Sequence, residues 1–112
     1  MAHVADVPRS IRFYEQLGFS VGNTFGPEGE SPTWAWLRSD GADLMVVQAD
    51  KSVDASAQGV LFYLYCEDVK AMHAHVTALG IEATAIRSPF YAPGGEFGIS
   101  DPDGYGIWIT HT

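Results

Sequence analysis

Basic residues are scarce in this chain and cysteine is almost absent. Fourteen acidic residues stand against six basic ones, for a formal net charge of −8, so a surface that tracks nucleic-acid phosphates would have to be built against the prevailing field. No nucleic-acid partner is expected. The same excess would favour a cationic ligand, although acidic residues also serve simply to keep a protein soluble. The one cysteine, Cys66, excludes an intramolecular disulfide, and its place in the apolar run over 60–66 points to a buried thiol and not a nucleophile. That run is far too short to cross a bilayer. The opening residues, Met1-Ala2-His3-Val4-Ala5-Asp6, have neither the basic region nor the apolar stretch of a secretory signal. No membrane partner is expected, and a reducing cytoplasm is the expected location. Also missing are a Gly-rich phosphate loop opening a helix, a strand-to-helix nucleophile elbow, and a cysteine with a histidine close by in sequence.

What is present is an internal repeat. The chain has 112 residues, about half of them apolar, which suits one globular domain and leaves halves too small for independent cores. Asp6-Val7 recurs as Asp68-Val69 and Leu17-Gly18 as Leu79-Gly80, at one offset of 62. The stretch between reads as a helix in both copies. Asp6 and Asp68 can cap a first turn, Pro8 is tolerated there, and Gly18 and Gly80 supply the left-handed residue that ends a helix. Val7, Ile11, Tyr14 and Leu17 form one apolar stripe, and Val69, Met72, Val76 and Leu79 the other.

Turn signals at Gly22-Asn23, Gly26-Pro27, Asp40-Gly41, Pro93-Gly94-Gly95 and Asp101-Pro102-Asp103-Gly104 divide the rest into extended segments. Strands are predicted near 1–5, 19–25, 33–38, 43–48, 60–66, 82–87, 96–100 and 105–110. The fold class is therefore α+β, with tandem βαβββ modules over 1–48 and 59–112 forming cupped mixed sheets, and a polar connector over 49–58.

Three stretches carry a family resemblance: residues 6–19, from Asp6-Val7-Pro8 to Leu17-Gly18-Phe19; Gly41-Ala42-Asp43-Leu44-Met45; and Asp101-Pro102-Asp103-Gly104-Tyr105. Over essentially its whole length the chain resembles the glyoxalase, bleomycin-resistance and ring-cleaving dioxygenase superfamily, the vicinal oxygen chelate proteins, most of all the metal-free bleomycin-resistance branch. The resemblance implies sheets whose concave faces hold the ligand, usually in a homodimer, with a divalent metal in the enzymes.

The family's metal-ligand positions fall on residues that do not suit a metal. On the opening strand the position lies seven residues before the helix-opening Asp, which is Leu61 in the second module and falls before Met1 in the first. On the closing strand it lies four residues after the turn glycine, at Met45 and Trp108. Hard divalent ions in open catalytic sites need imidazole or carboxylate donors. No metal and no cofactor is expected, and no catalytic residue is assigned.

The histidines offer little in their place. His73 and His75, two apart on a helix, cannot close on one ion and are expected to be solvated; His111 is read as a tail residue. His3 shares strand parity with Tyr65 across the repeat and is kept as a pocket residue.

Strand parity supplies the remaining candidates, because alternate side chains share a face. Leu61, Tyr63 and Tyr65 should share one face, joined by Trp108, while a two-residue turn at Asp40-Gly41 would set Trp36 beside Met45, Trp34 beside Val47 and Arg38 beside Asp43. Glu96 is expected in a flexible rim loop, where it could meet a cationic group. The expected function is metal-independent binding of a small hydrophobic or cationic ligand, sequestering an aromatic or cationic antibiotic. Two alternatives stay open: a divergent metal-dependent lyase, thiol transferase or dioxygenase using His3, and a scaffold whose aromatic face binds a protein.

Overall fold

The structure is a computed structural model that describes residues 1–111, so Thr112, the last residue of the second module, lies outside the described residues. The chain forms two compact units, Met1–Ala55 and Ser56–Thr112. The break falls inside the predicted connector, which is not wholly irregular: Ala55–Ala57 forms a short 3-10 turn.

In the first unit, β1 (Ala2–Val4) leads into α1 (Val7–Gln16), followed by β2 (Ser20–Phe25), β3 (Trp34–Ser39) and β4 (Ala42–Gln48). The helix starts where the sequence says it should, since the Asp6 carboxylate accepts from the backbone N–H of Arg9 at 3.1 Å. It ends at Gly18, whose φ of 97° suits a residue without Cβ. The strands lie in the order β1-β4-β3-β2. β1 runs parallel to β4 and the other pairs are antiparallel, which makes the sheet mixed. Gln48 ties the return crossover, donating from its side-chain amide to the Ala5 carbonyl.

Alternation decides which face α1 covers. Ala2, Val4, Ala35, Leu37 and Val46 are buried, and α1 adds Val7, Tyr14 and Leu17, with Tyr14 edge-on to Phe19. Ile11 of the predicted stripe is only half-buried.

The second unit repeats the scheme with β5 (Leu61–Cys66), α2 (Val69–Ala78), β6 (Glu96–Ser100) and β7 (Gly106–His111). Asp68 caps α2 through the Ala71 N–H at 2.9 Å. The order is β5-β7-β6, with β5 parallel to β7 and β6 antiparallel to it. Phe97, Ile99, Ile107, Ile109, Val69 and Val76 fill the covered side. Leu79, predicted to complete the stripe of α2, is exposed instead.

One predicted strand does not form. Residues 82–87 run beside β6 but keep only the bridge Arg87 to Glu96, bonded both ways at 3.0 and 2.8 Å. Two residues further along, the Thr84 N–H reaches Gly98 O where regular pairing would use Ala85, and the Gly98 N–H bonds to the Thr84 hydroxyl in place of a carbonyl. A side chain has replaced the backbone in the ladder, so the register slips by one and no regular strand results.

Candidate functional site: the open faces of the two sheets

In each unit the face turned away from the helix is left without a cover of its own, and the site candidates fall there. In the first unit the observed pairs are Trp34 with Val47, Trp36 with Met45 and Arg38 with Asp43, as the turn at Asp40-Gly41 requires. β1 sets His3 beside Val47, and β2 sets Phe25 beside Trp34. One row therefore reads His3, Val47, Trp34, Phe25, and the next Met45, Trp36, Asn23. Both tryptophans are half-buried, while Met45, His3 and Phe25 are exposed.

Trp36 is held by three neighbours that sequence reasoning did not tie to it. A bulge between Val21 and Asn23 leaves Gly22 under the ring, where an added Cβ would stand 2.9 Å from Cε3. The indole N–H donates to Asp43 Oδ1 at 2.9 Å, and the Arg38 guanidinium lies 4.8 Å from the ring centroid. The ring is thus held close against β2.

In the second unit Leu61 pairs with Gly106, Tyr63 with Trp108 and Tyr65 with Thr110, and β6 adds Ser100, Gly98 and Glu96 to those rows in turn. Leu61, Tyr63 and Tyr65 are exposed. Trp108 lies over Gly98, whose added Cβ would stand 3.3 Å from the ring. Because Gly98 and Gly106 carry no side chain, a hollow of about 570 Å³ opens beside Trp108, bounded also by Thr84, Ser100 and Glu82. On the other side a cleft of about 300 Å³ is lined by Tyr63, Tyr65, Tyr91, Thr110 and His111, together with residues 92–94.

Glu96 departs from its expected setting. It is the first residue of β6, not part of a flexible loop, and is 1% exposed. The cation it meets is the chain's own. Arg87 Nε and Nη2 reach Glu96 Oε1 at 3.1 and 2.9 Å, and the Tyr91 hydroxyl donates to the same oxygen at 2.9 Å. Arg87 Nη2 also donates to Tyr91 Oη at 3.2 Å, and its guanidinium sits 5.3 Å from the Trp108 centroid. The hydrogen bond to Glu96 raises the pKa of both Arg87 and Tyr91, so both stay protonated through the neutral range. Arg87 and Tyr91 escaped sequence reasoning because a slipped strand and a turn place them; the aligned positions of Arg87 and Phe25 in the repeat were the available signal.

Three further residues can be placed as well. His73 is half-buried and not fully solvated as expected: its ring bonds to Thr84 O at 3.0 Å and stands edge-on to Phe97. Burial pushes the Cys66 thiol pKa up, which leaves it a poor nucleophile. Asp101 serves its turn, accepting from the N–H groups of Asp103 and Tyr105 at 2.9 Å each.

The metal that the enzymes of the resembling family hold does not fit these residues. Leu61 and Trp108 have no donor for a hard cation, and Met45 offers only a thioether. Among the described residues no three His, Cys, Asp or Glu side chains converge. No helix among them is long and apolar enough to cross a membrane.

Comparison with known proteins gives a consistent result. A family model described as the Glyoxalase/Bleomycin resistance protein/Dioxygenase superfamily matches residues 1–109. Compared with curated proteins, the chain matches none. Among solved structures it is similar to a bleomycin-binding protein complexed with bleomycin, at 20% identity, with TM-score 0.78 and coverage of 99% of this chain and 93% of that one. It is also similar to a bleomycin-binding protein from bleomycin-producing Streptomyces verticillus complexed with copper(II)-bleomycin, at 20% identity, TM-score 0.73 and coverage of 98% and 90%. An antibiotic binding protein from Streptomyces sp. CB03234 is 26% identical, with TM-score 0.73 and coverage of 98% and 89%.

Proposed function

The chain belongs to the Glyoxalase/Bleomycin resistance protein/Dioxygenase superfamily, and from that premise we propose that it is a binding protein which sequesters a small aromatic compound of the antibiotic class without transforming it. The observation that carries this reading is the pair of open faces, each with a tryptophan packed against a glycine. A flat ring held by its neighbours loses little freedom when a planar ligand stacks on it, so contact area converts to affinity with little ordering cost. The antibiotic-binding names of several similar structures support the same reading.

The binding is proposed to need no metal. In the enzymes the ligand is held by an ion; here Trp108 and Met45 stand where the closing-strand donors would be, and Leu61 where an opening-strand donor would be. The proposed site residues are Trp34, Trp36, Met45 and His3 on one face and Leu61, Tyr63, Tyr65 and Trp108 on the other, acting in a homodimer in the cytoplasm. Glu96 acts indirectly, by fixing Arg87. Titration with a panel of aromatic antibiotics, read by tryptophan emission, should give saturable quenching with at least one compound. An unchanged spectrum across the panel would count against the reading, and a stoichiometric divalent metal in protein purified without chelators would favour the enzyme alternative.

A further inference from the structure

The sequence alone suggested that a cationic ligand would meet Glu96, but the geometry of the second module points the other way. The Glu96 carboxylate is buried, and one of its oxygens already receives Arg87 Nε, Arg87 Nη2 and the Tyr91 hydroxyl. A ligand cation could reach it only by displacing a guanidinium of the same charge. The arrangement instead fixes Arg87, whose side chain remains 59% exposed and whose second amino group makes none of these bonds. A guanidinium has five donors, and with Nε and both Nη2 hydrogens engaged, the two on Nη1 remain for an acceptor on a ligand.

The cleft beside it has the same sense. Its wall is made by Tyr63 and Tyr65, both exposed residues that each carry a hydroxyl donor, and by Tyr91, which bridges to Arg87. No carboxylate lines this cleft among the described residues. The hollow on the other side of Trp108 differs, because exposed Glu82 stands at its edge. Tyr63 pairs with Trp108, over which Arg87 lies, so a ring packed beside Trp108 and Arg87 can direct a substituent into the cleft. The chain's charge of −8 opposes an anion at long range, but over a Debye length of about 8 Å in physiological salt the local donors decide.

We infer that the cleft formed by Tyr63, Tyr65 and Tyr91 beside Arg87 binds the anionic, acceptor-rich end of a flat aromatic ligand, for which an aromatic carboxylate is the simplest representative. This rests on the binding reading above and sets the polarity of the ligand within it.

The test uses two probes with the same rings, 2-naphthoate and 2-naphthylmethylammonium, titrated into the full chain and followed by tryptophan emission. The wild type should bind the carboxylate about tenfold more tightly, the scale of one charge-assisted contact. Tyr63→Phe with Tyr65→Phe should weaken naphthoate severalfold and the ammonium probe less, so that the preference for the carboxylate narrows. Arg87→Gln with Glu96→Gln, which takes away both charges together and so leaves no buried unpaired carboxylate, should abolish the preference. A wild-type preference for the ammonium probe, or a naphthoate preference that survives both double variants, would overturn the inference while leaving the binding reading intact. Failure of both probes to bind at millimolar concentration would overturn both readings.

Discussion

In the first module the covered face combines a large helix residue, Tyr14, with a small strand residue, Ala35, whereas the repeat aligns these with Val76 and Phe97 in the second, and all four are buried. The open faces diverge in another way. Trp36 beside Met45 becomes Gly98 beside Trp108, so the indole moves from β3 to the closing strand and lies over a glycine in both modules. Arg38 and Asp43 lie on one side of Trp36, while the aligned Ser100 and Gly106 leave a hollow on that side of Trp108. The second module's own ion pair, Arg87 with Glu96, stands on the other side, where the first has Phe25 and Trp34. Covered faces conserve total volume while exchanging identities, because a close-packed core tolerates swaps that keep its size. Open faces are under no such constraint, and their differences are the better guide to what each binds.

The volume exchange predicts the largest effects. Phe97→Ala should cost about 3–5 kcal/mol by removing a buried ring, read as a fall in the denaturation midpoint. Adding Val76→Tyr, which copies the first module, should recover roughly 1 kcal/mol or more of that loss by refilling the covered face of the same module. No recovery would mean that the two cores are not exchanging volume.

Next come the glycines under the tryptophans. Gly22→Ala would place Cβ at 2.9 to 3.0 Å from Trp36 and the Arg38 stem, and Gly98→Ala at 3.3 Å from Trp108. The first should be the costlier, at about 1–3 kcal/mol, with the larger change in the near-ultraviolet circular dichroism of its indole. Equal effects would show that the clearance over the glycine does not decide the cost.

The ion pairs should differ as their burial does. Glu96→Gln weakens bonds to a buried carboxylate and should cost about 1.5 kcal/mol. Asp43→Asn acts on an exposed pair whose N–O distance is 4.0 Å, and its effect should stay within about 0.5 kcal/mol in a urea titration. A larger loss at Asp43 would reverse the contrast between the modules.

Much of this was legible in the sequence. The repeated Asp and Gly punctuation located both helices, and the two-residue turn at Asp40-Gly41 set the register that places Trp34 and Trp36 on one face. What escaped depended on contacts that no periodicity encodes. The strand over 82–87 failed because the Thr84 hydroxyl competes with its own backbone. Glu96 looked like a free rim charge because its partners, Arg87 and Tyr91, come from a slipped segment and a turn. His73 looked solvated because helical spacing says nothing about a carbonyl arriving from residue 84.

The central claim is that aromatic surface has replaced the metal as the means of holding a ligand. Its most direct test is titration of the wild type and of Trp108→Ala with an aromatic antibiotic that quenches tryptophan emission, with and without a strong chelator. The same saturable affinity is expected in both solutions, with a loss of about tenfold or more on Trp108→Ala, the scale of one good stacking contact. Binding that disappears with the chelator, or that is indifferent to Trp108, would contradict it.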